Sequence, residues 1–245
     1  MVNSPHFLGY SKLGAEITAL KLDHREQFDW PDESAIPGFR QITEKYLSQS
    51  TTTQVEANQI PPPPPASGDA ANCQGVGPHK DSGFLTFLLQ ATPHRGLEVQ
   101  NKAGEWIPAP PLPNTFVVNI GRALEALTGG ICTATTHRVS LREENFIDSE
   151  GNSLGPRFSF PVFQGIGLDL SSDNISLIVP DSVRKLVQDD KVKSDAEATF
   201  NEMFRTSIGE GTLVARVTSH QDVGQRWYPE VLARALAGQR TFASR

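Results

Sequence analysis

Apolar residues recur along this chain at two periods, and the change from one to the other divides it. From Phe84 onward the runs are short and rich in aromatic and β-branched residues. Phe84-Leu85-Thr86-Phe87-Leu88-Leu89 has the length and composition of a buried strand. Leu97-Glu98-Val99-Gln100 alternates, Asn101 to Gly104 reads as a turn, and Glu105-Trp106-Ile107 resumes, which together predict a hairpin. Thr115 to Ile120, Thr133 to Leu141 and Arg157 to Gln164 predict further strands, the last placed near an edge or an end by its internal Pro161. Arg122 to Leu127 predicts one or two helical turns closed by Gly129-Gly130. Past residue 168 the period lengthens. Asp181 to Val187, Ser194 to Ile208 and Pro229 to Leu236 predict helices, the second capped by Ser194 with Ala198, Phe200, Met203 and Phe204 on its apolar face.

The first part of the chain is less regular. Residues 1–47 mix helical and loop signals: Thr43 to Leu47 reads as the end of a short helix, and Gln27 to Pro31 as a loop with two aromatics. Residues 48–77 form an irregular, proline-rich excursion with at most one short strand, and the run Pro61 to Pro65 predicts polyproline II. The organisation expected is one domain over 1–245, with a β-rich core over 78–168 and a helical part over 169–245. It is mainly β, with short helices wrapped around a sandwich or barrel.

Composition narrows the function classes. The net charge is −6 and no Lys/Arg block is long, which argues against a nucleic-acid footprint. Two cysteines, Cys73 and Cys132, form neither a zinc cluster nor a disulfide framework. No run is long and apolar enough to span a bilayer, and Met1 to His6 lacks the basic head and apolar core of a signal peptide, so a cytoplasmic setting is the expectation. A small-molecule partner fits, without nucleic acid or membrane.

The candidate chemistry lies in Gly77-Pro78-His79-Lys80-Asp81-Ser82-Gly83. In an extended segment, residues two apart share a face, so His79 and Asp81 converge and Lys80 points away. His137, in Thr136-His137-Arg138-Val139, needs only to lie on a neighbouring strand. Two imidazoles and one carboxylate on one face of a metal leave the opposite face open, which suits Fe(II) or Mn(II). Taken alone, a His-x-Asp pair is far more often two surface or hydrogen-bonded side chains. A second copy, His220-Gln221-Asp222, has no later histidine to complete it and reads as a helix cap or local ion pair. His6, His24 and His94 have no partner at useful spacing. Arg157 and Ser159 also share a face by the period of two, and a guanidinium with a neighbouring hydroxyl can grip a carboxylate. Their competing role is an ordinary ion pair with a local Glu.

From Gly75 to Gln164 the chain resembles the isopenicillin N synthase-like branch of the Fe(II)/2-oxoglutarate dioxygenases. The likeness rests on Gly77 to Gly83, Gly96 to Gln100, Trp106-Ile107-Pro108, Pro113 to Gly121, His137-Arg138-Val139 and Arg157-Phe158-Ser159. It implies a double-stranded β-helix, or jelly roll. It also implies Fe(II) on His79, Asp81 and His137, and 2-oxoglutarate held by Arg157 and Ser159, with O2 as the other co-substrate. The implied activity couples 2-oxoglutarate decarboxylation to hydroxylation, desaturation or cyclisation of a small organic molecule, with specialised metabolism as the expected setting. Two alternatives stand beside it: an oxidase that uses no 2-oxoglutarate, and a shortened non-catalytic jelly-roll binding protein. The chain departs from the family where Gln59-Ile60-Pro61 takes the place of a carboxylate-binding tyrosine, and where the segment before Pro61 is too short for the usual long helix.

Overall fold

The computed structural model describes residues 1–19, 21–30, 53–63, 74–168, 170–173, 175, 179–185, 190–204 and 207–243. Twelve strands are described: β1 (Gly9–Ser11), β2 (Ile17–Thr18), β3 (Lys21–Leu22), β4 (Glu26–Trp30), β5 (Thr53–Ile60), β6 (Val76–His79), β7 (Leu85–Gln90), β8 (Leu97–Gln100), β9 (Trp106–Pro108), β10 (Val117–Ile120), β11 (His137–Val139) and β12 (Arg157–Gln164). The helices are α1 (Arg122–Leu127), α2 (Asp181–Arg184), α3 (Asp190–Phe204), α4 (Ile208–Ser219), α5 (Gln221–Trp227) and α6 (Pro229–Ala243). A six-stranded sheet runs β1-β4-β5-β12-β7-β10 and a four-stranded sheet runs β6-β11-β8-β9, with every ladder antiparallel. Four strands of the larger sheet and the four of the smaller make the jelly roll, and β1 and β4 extend it. Ile60, Val76, Leu97, Val139 and Phe146 form a buried apolar cluster drawn from both sheets.

The expected strands and the hairpin of residues 97–108 are present, and the differences have physical causes. Gln27 to Trp30 is strand rather than loop, and 53–60 is a full eight-residue strand inside the sheet rather than part of an irregular excursion. The helix end expected at Thr43 to Leu47 lies outside the described residues, as does Cys73, whereas Cys132 is a free thiol. Pro161 sits in an interior strand, between β5 and β7. Phe158 O accepts from Ala91 N on the β7 side, so Pro161, an odd number of residues on, directs its missing N–H towards β5. There the ladder is interrupted at Phe160 and Pro161 while pairing with β7 continues.

Two helical clusters cover the ends of the core. Ala123 and Ala126 of α1 pack with Ile166, Phe204 and Ile208, while Val217, Val223 and Leu232 enclose Phe7. Ser194 is not a cap but lies inside α3, which begins at Asp190; the side-chain cap is Ser207, whose Oγ accepts from Glu210 N at the start of α4. Trp227 Nε1 donates to Val2 O and Tyr228 Oη to Pro5 O, which fastens the N-terminal residues, while Tyr228 also packs in the cluster that holds Leu232 of the last helix. Among the described residues no helix is long and apolar enough to cross a membrane.

Candidate metal and carboxylate site

The smaller sheet brings the two histidines together. Strands β6 and β11 pair with His79 opposite His137, and the imidazole centroids stand 4.3 Å apart. Each ring is turned by the same local device. His79 Nδ1 lies 2.8 Å from Gly77 O, and His137 Nδ1 lies 3.1 Å from Thr135 O, in each case the carbonyl two residues earlier. A carbonyl only accepts, so each Nδ1 carries a proton, and each Nε2 is the atom left to meet the carboxylate or, once its own proton is gone, an ion. Both Nε2 atoms point at one oxygen, Asp81 Oδ1, each at 3.5 Å.

Asp81 is held from its other side. Its Oδ2 accepts from Asn119 Nδ2 at 2.7 Å and from Thr86 Oγ1, so Oδ1 alone faces the imidazoles. Hydrogen bonds to a carboxylate are each worth about 1.5–3 kcal/mol, enough to fix which oxygen is free. The backbone is fixed as well, since Asp81 O accepts from Arg122 N and Gly83 O from Ala123 N, at the start of α1. This approach requires glycine at 121, because a Cβ there would overlap Gly83 O. Burial opposes charge on Asp81, but His137 and His79 outweigh it and hold the carboxyl well below the usual carboxylate range. Burial likewise opposes charge on His137, and Asp81 reverses this to raise its pKa. Lys80 points away as the period of two requires, its Nζ on Glu125 at 3.1 Å.

The three ligand-capable atoms lie within 4.8 Å of one another, the spacing a single ion needs. Arg157 and Ser159 are also together on one face of β12, both buried, with Arg157 Nη1 donating to Ser159 Oγ at 3.2 Å. Arg157 Nη2 reaches Gln90 Oε1 at 3.4 Å. No carboxylate pairs with this guanidinium among the described residues, which removes the competing role of a local ion pair. Burial pushes Arg157 down to about 10, still charged at neutral pH. A buried cation lacking an anion is a costly arrangement unless a ligand brings one. Ile60, its register partner on β5, is buried in the apolar cluster and offers no donor, and among the described residues no tyrosine reaches this guanidinium.

The other histidines stay apart. His94 is buried against Phe146 with Nε2 on Gly155 O, and His220 is enclosed near Gln27 and Ser219. Thr86 and Asn119 were not apparent as site residues from the sequence. Their signal was available: each is the polar residue inside an otherwise apolar strand.

Comparison with known proteins agrees with this chemistry. The family model described as the 2OG-Fe(II) oxygenase superfamily matches residues 54–165. A 2-oxoglutarate-dependent dioxygenase of Gibberella zeae is 38% identical over 290 aligned positions, covering 97% of this chain and 76% of that protein. The 2-oxoglutarate-dependent dioxygenase frbJ of Dothideomycetidae sp. is 36% identical, over 95% of this chain and 76% of its own length. Both alignments exceed the 245 residues of this chain, so each relative carries residues that it lacks. Among solved structures, a full-length Neurospora crassa protein in complex with alpha-KG and thymine shares the fold, with TM-score 0.54 and 19% identity over 80% of this chain and 75% of that one. The chain belongs to the 2OG-Fe(II) oxygenase superfamily, and it is a 2-oxoglutarate-dependent dioxygenase that uses Fe(II), 2-oxoglutarate and O2.

Proposed function

We propose that His79, Asp81 and His137 hold the iron, and that Arg157 with Ser159 holds the far carboxylate of 2-oxoglutarate. The observation that carries this is the convergence of two Nε2 atoms and one carboxylate oxygen within 4.8 Å, with every other polar atom of the three side chains already engaged inside the protein. Two imidazoles and a carboxylate are the donor set that non-haem Fe(II) oxygenases use, and thiolates are absent from it. Iron held by these residues would supply the redox chemistry by which O2 couples decarboxylation of 2-oxoglutarate, to succinate and CO2, with oxidation of the substrate.

The residues of this chain orient the reactants and exclude water. Gly77 O and Thr135 O keep both imidazoles in the tautomer that coordinates. Thr86 and Asn119 engage Asp81 Oδ2, so that Oδ1 is the oxygen that would be offered to an ion. The Lys80–Glu125 pair keeps an ammonium away from the donors. Arg157, deep in β12, offers a fixed planar fork in a region of low dielectric, where its attraction for a carboxylate is strongest. With Ile60 beside it, Ser159 is the second donor in place of a tyrosine.

The substrate is read here as a small organic molecule of specialised metabolism, in keeping with an acidic chain that lacks a basic patch. Hydroxylation, desaturation and cyclisation are the outcomes to be distinguished by product analysis. The test supplies purified protein with Fe(II), O2 and 2-oxoglutarate and measures succinate release in the presence of a metabolite extract. Substrate-dependent succinate is expected. Consumption of 2-oxoglutarate by His79→Ala or Asp81→Ala at the parent's rate would remove those residues from the role.

A further inference from the structure

A side chain far from the triad in sequence reaches it through the backbone of one residue, Gly77. Asp23, between β3 and β4, is fully buried. Its Oδ1 accepts from Gly77 N at 3.1 Å and from Gln74 Nε2 at 3.0 Å, and its Oδ2 accepts from Thr18 Oγ1 at 2.6 Å. Asp23 also forms a parallel bridge with Gln74, strengthened by His24 N on Gln74 O at 2.8 Å. The residue whose amide Asp23 grips is the one whose carbonyl orients His79, since Gly77 O takes His79 Nδ1 at 2.8 Å.

The geometry points to Asp23 as a positioning residue that fixes the direction and tautomer of His79 through the Gly77 backbone; this rests on His79 being a metal ligand. Two features carry it. A carboxylate buried away from water needs donors, and this one spends a bond on the Gly77 amide rather than on solvent. Gly77 N–H and Gly77 C=O belong to the two peptide units that meet at its α-carbon, so anchoring the amide fixes one side of the residue, while Pro78, whose ring fixes its own φ, limits how far the carbonyl can swing from His79. Glycine at 77 also lets Gln74 lie against the backbone, where a Cβ would stand 2.6 Å from Gln74 Nε2. Groups behind a ligating imidazole typically change metal affinity by about 10–100-fold when removed.

The test uses the metal-free full chain and Co(II) as the probe. Asp23→Ala is expected to raise the Co(II) Kd by about tenfold. In long-range 1H–15N spectra it is expected to turn the His79 ring from the Nδ1–H form to a mixture, with the His137 ring unchanged. Asp23→Asn, which keeps a carbonyl oxygen for Gly77 N, is expected to restore both. Thr18→Val, which frees only the opposite oxygen, tests the same link with less disturbance should Asp23→Ala fail to fold, and shifts His79 in the same direction. His79 signals identical to the parent in the folded variants would overturn the proposal, as would equal shifts at His79 and His137, which mark general loosening. His79→Ala separates the two readings. If it binds Co(II) as the parent does, the metal-site reading falls, while the ring spectra still decide whether Asp23 sets His79.

Discussion

The same three-letter pattern occurs twice in this chain with opposite outcomes. His79-Lys80-Asp81 continues from strand β6, and its outer two residues face each other across 3.5 Å. His220-Gln221-Asp222 opens helix α5, where successive residues turn by about 100°, so positions two apart diverge. Asp222 Oδ1 accepts from Val223 N, within its own turn, while the buried His220 ring faces Gln27, Ser219 and the edge of Phe7. What separates a converging pair from a helix start is thus the period of the element beneath it and the presence of a third donor on a paired strand.

The contrast is broken most directly by exchanging the two histidines' roles in assay. His79→Ala, Asp81→Ala and His137→Ala are each expected to cut succinate release below about a hundredth of the parent, beyond the usual effect of a merely supporting group. His220→Gln is expected to keep release within about twofold, since no group it touches reaches the triad. Comparable losses in all four variants would show that burial, not ligation, governs activity.

The carboxylate end gives the next largest effect. Arg157→Ala is expected to raise the 2-oxoglutarate concentration for half-maximal turnover by about 10–100-fold, the equivalent of a charge-assisted contact of about 1.5–3 kcal/mol. Because the guanidinium is buried without an acid beside it, Arg157→Met is expected to leave the thermal midpoint of the ligand-free protein equal or higher. A lower midpoint together with an unchanged 2-oxoglutarate requirement would assign Arg157 to the core instead.

Behind the triad the effects shrink. Asn119→Ala and Thr86→Val each free Asp81 Oδ2 from one donor, and each is expected to weaken Co(II) binding by about tenfold, read by titration. The two together are expected to exceed either alone, because with both donors gone Asp81 can swing to a two-toothed grip. A double variant no weaker than the singles would mean that the backbone bonds to α1 alone hold Asp81.

How much of this was legible in the sequence follows from which faces the residues serve. The triad and the Arg157–Ser159 pair lie on extended backbone, where a period of two reports the shared face, so five residues were placed from spacing and resemblance. Strands β4 and β5 were missed because their pattern is inverted. Gln27, Asp29, Glu56 and Asn58 point inward and are buried, while Phe28 and Trp30 on the opposite face are exposed. These inward acids and amides pair with one another and with Arg25 and Arg216, as in Gln54 Nε2 on Asp29 and Arg25 Nη1 on Asn58, while Gln27 Oε1 is left without a partner among the described residues. A rule that sends polar residues to water reads such strands as loop. Pro161 misled for a related reason: an interior strand accepts a proline where the ladder on the side of its missing N–H is locally interrupted, as it is here towards β5. The Asp23 contact had no local signal, since 54 residues separate it from Gly77.

The smallest expected effect concerns the second motif's own histidine. Burial holds His220 below the ordinary histidine value of 6.5; Glu16 and Asp29 pull it upward, and Arg216 and Arg25 push it further down. A base whose folded pKa is depressed binds fewer protons folded than unfolded at acidic pH, so its contribution to stability is full above about pH 6.5 and is lost as pH falls through that value. Denaturant midpoints of the metal-free protein at pH about 7.5 and about 5.5 should therefore differ more for the parent than for His220→Gln. The subtraction removes the pH dependence of Glu56, which burial and Asp29 raise and which acts in the opposite sense, losing stability as pH rises. Equal pH slopes in the two proteins would mean that His220 titrates in the fold as it does in the open chain, and that the enclosure seen around its ring does not exclude a proton.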